Sequence, residues 1–220
     1  MNINEMYKNI LLDIFNNGKT KFSRDMECKE ISPYIITLNN INDNIITLEG
    51  FKTNLEYAKA ELDWYLNGTE DIDYSDIIKK VWHKYSEDNK INSNYGVRIF
   101  GKNKILNINQ YEWCKNKLIE DKDSRQAVIN INSYFDKYKK TKDFPCTMDL
   151  QFMINDNKLN MITHMRANDI YFGFRNDLYC FTEIQKLMAN DLKLEYGKYF
   201  HMVNSLHLYK EQYNKIGGLK

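Results

Sequence analysis

The sequence predicts an α+β fold in which a mixed or largely antiparallel sheet is flanked by helices. Helical and strand-like patterns alternate along the 220 residues without the regular strand–helix–strand rhythm of a parallel sheet. A strong hairpin pattern lies at residues 148–165, and the chain shows no repeat, linker or low-complexity tract. The length suits one hydrophobic core, so we expect a single domain over residues 1–220.

Helices are predicted where apolar residues recur at every third or fourth position. Residues 4–17 carry apolar side chains at this spacing, and Gly18 ends the pattern. The longest such pattern covers residues 177–192. The other predicted helices cover residues 55–66, 74–85, 111–119 and, as a short final helix, 206–213.

Strands are predicted where short runs of β-branched and aromatic residues occur. These runs cover residues 97–100, 127–131 and 198–203, and residues 35–38 and 45–48 are each a strand or a strand-like connection. The hairpin pairs residues 148–154 with 159–165 around Asn155-Asp156-Asn157, residue types that tolerate tight left-handed turns. Because the outer ends of paired strands meet, we expect Cys146 and Arg166 to lie nearly opposite each other.

Composition excludes several classes of partner and site. The formal net charge of +1 gives no electrostatic footprint for a nucleic-acid polymer, although a local anion pocket needs only a few arginines. None of the four cysteines forms a CxxC pair, so we expect no metal site. The N-terminus does not read as a signal peptide and no apolar run is long enough to span a membrane, so we expect a cytoplasmic protein with reduced thiols.

Cys146 and Arg166 are the first candidates for chemistry. A guanidinium beside a thiol favours the thiolate, which is the nucleophilic form of cysteine. The alternative is that Cys146 is a core residue and Arg166 a surface one, because cysteine is a commonly buried residue type. The residues around the pair are the evidence that favours the nucleophile.

Six collinear segments resemble the thymidylate synthase family, which includes the deoxycytidylate hydroxymethylases. They are Glu61-Leu62-Asp63-Trp64-Tyr65-Leu66, Asn92-Ser93-Asn94-Tyr95-Gly96, Asp123-Ser124-Arg125, Asp143-Phe144-Pro145-Cys146 with Leu150-Gln151-Phe152, Arg166-Ala167-Asn168-Asp169-Ile170-Tyr171-Phe172-Gly173, and Ser205-Leu206-His207-Leu208-Tyr209. The resemblance implies a thymidylate synthase-like fold that dimerises through the sheet face. It also implies a pyrimidine nucleoside monophosphate as substrate and 5,10-methylenetetrahydrofolate as co-substrate.

The resemblance implies catalytic roles for four residues, of which Asp177 is discussed below. Cys146 would add to carbon 6 of the pyrimidine and make carbon 5 nucleophilic. Glu61 would organise water and proton transfer, and Tyr95 would assist proton removal from carbon 5. The folate-binding candidates are Asp169 for the pterin, Trp82 near the ring and transferred carbon, and Gly173 in the same segment.

The resemblance also implies the substrate-binding residues. Arg166 would contact the phosphate, and Arg125 would reach the phosphate in the partner subunit of a homodimer. The remaining candidates are Arg24 for phosphate, and His207 and Tyr209 for the sugar hydroxyl. Gln126 and Ala167 depart from the family, which usually has an arginine and a serine there, so other residues could complete the phosphate site.

Asp177, in Gly173-Phe174-Arg175-Asn176-Asp177, bears on the identity of the base. Thymidylate synthases have asparagine at this position, whose amide accepts from the N–H of uracil and donates to its oxygen. Cytosine presents the reverse pattern, which a carboxyl group can match, and a buried mismatch costs roughly 1–3 kcal/mol. The alternative is that Asp177 caps the following helix.

The string around Asp177 resembles the deoxycytidylate hydroxymethylases, which implies a 5-hydroxymethyl cytidine nucleotide as product. Two alternatives remain: a divergent thymidylate synthase that methylates dUMP, and a nucleotide-binding homologue without turnover. The sequence leaves the choice between ribose and deoxyribose open.

Overall fold

The computed structural model describes residues 2–23, 25–102, 107–138 and 143–219. The helices of this part are α1 (Ile3–Asn17), α2 (Leu55–Leu66), α3 (Asp76–Trp82), α4 (Tyr95–Phe100), α5 (Gln110–Glu120), α6 (Gly173–Asp191) and α7 (Tyr213–Gly217). Its strands are β1 (Lys19–Ser23), β2 (Met26–Ile31), β3 (Tyr34–Leu38), β4 (Val128–Asn130), β5 (Thr147–Asn155), β6 (Lys158–Met165), β7 (Asn168–Asp169), β8 (Glu195–Val203) and β9 (Leu206–Tyr209).

The strands form two mixed sheets, so the predicted α+β class is confirmed. The larger sheet has the order β3-β8-β6-β5-β4, and only its β6–β8 pair is parallel. The smaller sheet has the order β1-β2-β9-β7, and only its β7–β9 pair is parallel. The predicted hairpin is β5–β6, with Asp156 and Asn157 at positive φ in its turn.

Helix α6 packs on the inner face of the larger sheet, against β6 and β8. Its apolar stripe of Leu178, Phe181, Ile184 and Met188 is fully buried. Helix α2 packs against both α4 and α6, so three helices meet beside the sheet. Within the described residues, no helix is long and apolar enough to cross a membrane.

The outer face of the larger sheet, defined by Ile35, Met153, Ile162, Phe200 and Met202, carries apolar side chains that remain partly or largely exposed. Met202 lies opposite Ile35, and Ile162 lies opposite Phe200. Ile35 is 59% exposed and Met202 is 37% exposed. The outer face is therefore an apolar surface of the kind that marks association.

Two predicted elements are wrong in type. Residues 97–100 belong to helix α4 rather than a strand, because the Asn94 side chain accepts from the Val97 N–H at 2.9 Å and caps a helix there. Residues 206–209 form β9 rather than the start of a helix, because they pair with β2 and β7. Strands β1 and β2 were not predicted, since their charged and exposed residues hide the strand pattern.

Other differences concern boundaries. Of the two runs left open as strand or connection, residues 35–38 lie in strand β3 and residues 45–48 form a connection. Residues 74–85 combine α3 with short 3-10 turns. Helix α6 begins at Gly173, four residues before the predicted start, which places Asp177 inside the helix.

Candidate active site

The β5–β6 hairpin brings Cys146 and Arg166 together. The Arg166 N–H donates to the Cys146 carbonyl at 2.8 Å, and its Nη2 lies 3.5 Å from Sγ. The guanidinium is anchored by the carbonyls of Pro145 at 2.8 Å and Phe144 at 3.1 Å. Cys146 is half-buried, whereas the other three cysteines are buried. A fixed positive charge beside an accessible thiol favours the thiolate, which fits a nucleophile better than a core cysteine.

Tyr95 lies beside Cys146 because helix α4 is tied to the segment that precedes Cys146. The Ser93 N–H donates to the Asp143 carboxylate at 2.7 Å, just before α4 begins. The Tyr95 hydroxyl then accepts from the N–H of Thr147 at 3.2 Å. Burial raises the pKa of Tyr95 well above its usual value, and the charges of Cys146 and Asp177 raise it further. Tyr95 is therefore a neutral phenol, able to donate one hydrogen bond and accept others.

Gly96 allows α4 to approach α2, the helix that carries Glu61. A Cβ at Gly96 would lie 2.5 Å from the Tyr65 Cα, closer than real atoms approach. Glu61 is 4% exposed and accepts from the Tyr57 hydroxyl at 2.6 Å. Burial raises the pKa of Glu61 to about 7, although hydrogen bonds from surrounding side chains oppose the shift. A carboxyl that titrates near neutral pH can both take up and release a proton.

Asp177 lies in the second turn of α6, so it does not cap that helix. Its Oδ2 accepts from Nδ2 of Asn168 at 2.7 Å. Burial raises the pKa of Asp177 to about 8, the charge of Glu61 adds to this, and the Asn168 bond opposes it. The carboxyl is therefore protonated at neutral pH and can donate as well as accept.

Asp169 and Trp82 offer contacts that fit a pterin. The Oδ1 of Asp169 accepts from the backbone N–H groups of Tyr171 at 2.8 Å and Phe172 at 3.2 Å, which fixes the carboxyl in place. Such an acceptor suits the adjacent N–H groups of a pterin. Trp82 is half-buried, and its Nε1 donates to the Tyr57 hydroxyl at 3.0 Å, which links it to the Glu61 carboxyl.

Gly173, the other folate candidate, provides clearance at the start of α6. A Cβ at this position would lie 2.9 Å from Nδ2 of Asn168 and 3.3 Å from Oδ2 of Asp177. The missing side chain therefore leaves room for the Asn168–Asp177 hydrogen bond.

His207 and Tyr209 alternate on β9 and share one face of that strand. Their rings meet edge-on at 5.1 Å, and Nδ1 of His207 lies 3.2 Å from the Ser205 carbonyl. His207 also pairs with Asp169 across the β7–β9 ladder. The two sugar-binding candidates thus lie next to one of the folate candidates.

Two phosphate candidates have no described contact with this cluster. Arg125 is exposed, and its carbonyl accepts from the side chain of Gln151 at 3.0 Å, on the outer side of the larger sheet. Arg24 lies outside the described residues.

Sequence reasoning missed Tyr57, Asn168 and His201 as members of the site. Tyr57 precedes Glu61 by one helical turn, a spacing that could have identified it. Asn168 lies within the segment 166–173 that resembles the family, but its hydrogen bond to His201 joins residues 33 positions apart. No local pattern reveals that pairing.

The chain also resembles known proteins in sequence. The family model described as "Thymidylate synthase" matches residues 5–218. The chain is 32% identical to the deoxyuridylate hydroxymethyltransferase of Bacillus phage SP01, covering 95% of this chain and 57% of that protein. It is 34% identical to the deoxycytidylate 5-hydroxymethyltransferase of Enterobacteria phage T4, covering 73% of this chain and 69% of that protein. The chain thus spans little more than half the length of the first of these relatives.

The fold itself has a solved counterpart. A thermostable thymidylate synthase A from Bacillus subtilis superposes with a TM-score of 0.83 at 20% identity, covering 100% of this chain and 84% of that one.

Proposed function

The chain belongs to the thymidylate synthase family, and from that premise we propose that it transfers a one-carbon unit to carbon 5 of a cytidine monophosphate, giving the 5-hydroxymethyl nucleotide. One observation carries the proposal: the Tyr95 hydroxyl accepts from the N–H of Thr147 at 3.2 Å, so this phenol lies beside Cys146 and its partner Arg166. A pyrimidine bound there would meet Sγ at carbon 6 and Asp177 at its opposite edge.

The first step belongs to Cys146 and Arg166. Arg166 holds the thiol as thiolate, and Sγ forms a bond to carbon 6, which moves electron density to carbon 5. When bound, 5,10-methylenetetrahydrofolate supplies the one-carbon unit to carbon 5. Asp169 and Trp82 are the residues that would hold it.

The later steps belong to Tyr95 and Glu61. The neutral Tyr95 phenol orients a water that takes the proton leaving carbon 5 as tetrahydrofolate departs, which leaves an exocyclic methylene on carbon 5. Glu61 takes a proton from the water that adds to this methylene, which gives the hydroxymethyl group, and the Sγ–carbon 6 bond breaks as the ring regains its double bond. The pKa of Glu61, raised to about 7 by burial, suits this exchange near neutral pH.

The choice of cytosine rests on Asp177. A protonated carboxyl donates to the ring nitrogen at position 3 and accepts from the amino group at position 4. The T4 relative is named for deoxycytidylate and the SP01 relative for deoxyuridylate, so relatedness alone favours neither base. The neutral state of Asp177 is what favours cytosine, because the pattern then matches without a buried mismatch.

The direct test is incubation with methylenetetrahydrofolate and CMP, dCMP or dUMP, with products identified by mass spectrometry. We expect a hydroxymethyl product from a cytidine nucleotide; turnover of dUMP alone would contradict the cytosine assignment. Tritium release from carbon 5 separates an enzyme from a pure nucleotide-binding protein, which would release none.

The matched variant is Asp177→Asn, which we expect to shift the kcat/KM ratio of dCMP to dUMP toward dUMP by about tenfold to a hundredfold. Asp191→Asn, at the end of the same helix and hydrogen-bonded to Tyr111, is the control and should leave the ratio unchanged. An unaltered ratio in Asp177→Asn would remove Asp177 as the base reader.

A second candidate is hydroxymethyl transfer to dUMP, favoured by the name of the SP01 relative. A divergent thymidylate synthase acting on dUMP would instead yield a methyl product and dihydrofolate. The same mass spectra distinguish the three outcomes.

We also propose that the chain forms a homodimer through the outer face, with Arg125 binding phosphate in the partner's site. The outer face exposes the apolar side chains of Ile35 and Met202, and Arg125 lies at its border through the contact with Gln151. Arg125 thereby complements Arg166, since a phosphate dianion accepts more than one guanidinium.

A further inference from the structure

Behind Asp177 lies a row of three hydrogen-bonded residues that the proposed chemistry does not use. We call Tyr199, His201, Asn168 and Asp177 the His201 network. Nε2 of His201 lies 3.3 Å from Oδ1 of Asn168, and Nδ1 lies 2.7 Å from the Tyr199 hydroxyl. Asn168 then donates to Oδ2 of Asp177 at 2.7 Å. Tyr199 and His201 are fully buried and Asn168 is 4% exposed, so water does not compete for the two bonds that His201 makes.

The His201 network has one consistent direction. Burial lowers the pKa of His201 to about 3, so the ring is neutral and has one N–H and one lone pair. Because Nδ2 of Asn168 faces Asp177, its Oδ1 faces His201, and Nε2 must carry the hydrogen. Nδ1 is then the acceptor of the Tyr199 hydroxyl. Every donor in the row points toward Asp177.

Packing holds this arrangement in place. The ring of His201 meets Phe174 edge-on at 5.1 Å, which fixes its plane. Gly173 leaves the space that the Asn168–Asp177 bond occupies, since a Cβ there would lie 2.9 Å from Nδ2 of Asn168. A reversed Asn168 amide would leave two donors facing each other at His201 and two acceptors facing each other at Oδ2 of Asp177.

The direction of the hydrogen bonds in the His201 network determines which oxygen of Asp177 bears the proton. Oδ2 receives the Asn168 donor, so it serves as the carbonyl-type acceptor and the proton resides on Oδ1. Cytosine needs the O–H opposite its ring nitrogen, whereas uracil needs the O–H opposite its oxygen at position 4. The identity of the protonated oxygen therefore separates the two bases.

We propose that Tyr199, His201 and Asn168 are positioning residues that assign the proton of Asp177 to Oδ1 and thereby set the base preference. The inference rests on the proposed function, because it refines how Asp177 reads a pyrimidine. His201 touches no substrate and acts only through Asn168.

The first experiment determines the tautomer of His201 and requires no enzymatic turnover. Ring-nitrogen NMR of isotope-labelled protein distinguishes the two neutral tautomers, and the signal of His201 is assigned by its loss in His201→Gln. We expect the tautomer with hydrogen on Nε2. Hydrogen on Nδ1, or a charged ring at neutral pH, would overturn the proposal whatever the enzyme's substrate.

The second experiment reads the base preference. In His201→Phe, which removes the donor to Asn168, we expect the ratio of dCMP to dUMP in kcat/KM and in Kd to change by about tenfold. His201→Gln restores a donor and an acceptor and should return the ratio to within about threefold of wild type. Gln185→Leu is the control. It removes a buried side chain that donates to the carbonyl of Lys198, a residue of the same strand as His201. It should lower the free energy of unfolding and leave the dCMP/dUMP ratio unchanged.

The two experiments distinguish a wrong role for His201 from a wrong enzymatic function. If folded His201→Phe has the same dCMP/dUMP ratio as the wild-type protein, the His201 network does not determine the base preference. Failure of the wild-type protein to turn over either nucleotide would instead reject the proposed function, while the tautomer and the Kd ratio still decide the role of His201. Tyr199→Phe, a milder change, should move the ratio in the same direction if His201→Phe does not fold.

Discussion

At the scale of single residues, burial sets the chemistry of the site. Glu61 and Asp177 have pKa values raised to about 7 and about 8, and in both cases burial is the largest cause. Carboxylates lose more by leaving water than neutral acids do, so two acids on neighbouring helices stay able to hold protons near neutral pH. Arg166 does the reverse for Cys146, since its charge 3.5 Å from Sγ favours the ionised thiol.

The pKa of Asp177 predicts a pH-dependent base preference. Below about pH 8 the carboxyl is protonated and donates to the ring nitrogen of cytosine; above it, the carboxylate only accepts, which disfavours cytosine and suits the N–H of uracil. The dCMP/dUMP ratio of kcat/KM should therefore fall as pH rises through about 8. The ratio cancels the titration of Glu61, which serves both substrates. A ratio that stays flat from about pH 6 to about pH 9 would contradict the protonated state of Asp177.

At the scale of elements, close contact between helices brings the candidate catalytic residues together. Helix α2 carries Glu61, α4 carries Tyr95 and α6 carries Asp177, and α2 packs against the other two. The absence of a side chain at Gly96 makes the α2–α4 contact possible, because the Tyr65 backbone occupies the space of a Cβ. The hairpin contributes Cys146 and Arg166 at its open end.

Gly96→Ala tests the α2–α4 contact. The added methyl must push the two helices apart, and we expect a loss of about 1–3 kcal/mol in the free energy of unfolding, measured by denaturant titration. The shift should also displace Tyr95 from Thr147 and reduce kcat. Gly217→Ala is the control, because nothing lies within 4 Å of its Cβ position, and it should change stability by about 0.5 kcal/mol or less.

At the scale of the whole molecule, the larger sheet has one face covered by α6 and an outer face on which apolar side chains such as Ile35 and Met202 remain exposed. An apolar sheet face gains free energy when another surface covers it, and a second copy of the same face is complementary through two-fold symmetry. A dimer of this kind would place Arg125 of one subunit beside the other subunit's larger sheet. Association and phosphate binding would then depend on each other.

Ile35→Glu tests the proposed dimer. A carboxylate at this 59% exposed position would be buried opposite a partner, so we expect dissociation into monomers in sedimentation experiments and loss of activity. Phe22→Glu, on β1 of the smaller sheet and 72% exposed, is the control and should leave the oligomeric state unchanged. A monomeric wild-type protein with full activity would reject the shared site.

Mixed dimers test whether Arg125 binds phosphate in the site of the partner subunit. Cys146→Ala and Arg125→Ala should each be strongly impaired alone. After mixing, each heterodimer would contain one intact site, so random assembly should restore about a quarter of wild-type activity. No recovery on mixing, in samples shown to exchange subunits, would place Arg125 outside the partner's site.

The sequence by itself determined the features that depend on local spacing. The helical periods of α1 and α2, the alternation of β5 and β6, and the turn between those strands are visible without a structure. The contact between Cys146 and Arg166 follows from the same hairpin, because strand pairing fixes which residues oppose each other. Family resemblance then pointed to Glu61, Tyr95 and Asp177.

The tertiary structure alone decided the features that depend on long-range packing. It made residues 97–100 a helix, because a cap at Asn94 and the contact of Gly96 with α2 outweigh a short β-branched run. It paired β9 with the charged strand β2, and it joined His201 to Asn168 and Asp177 across the fold. The raised pKa values of Glu61 and Asp177 also belong to this level, because burial is a property of the packed molecule and not of neighbouring residues in the chain.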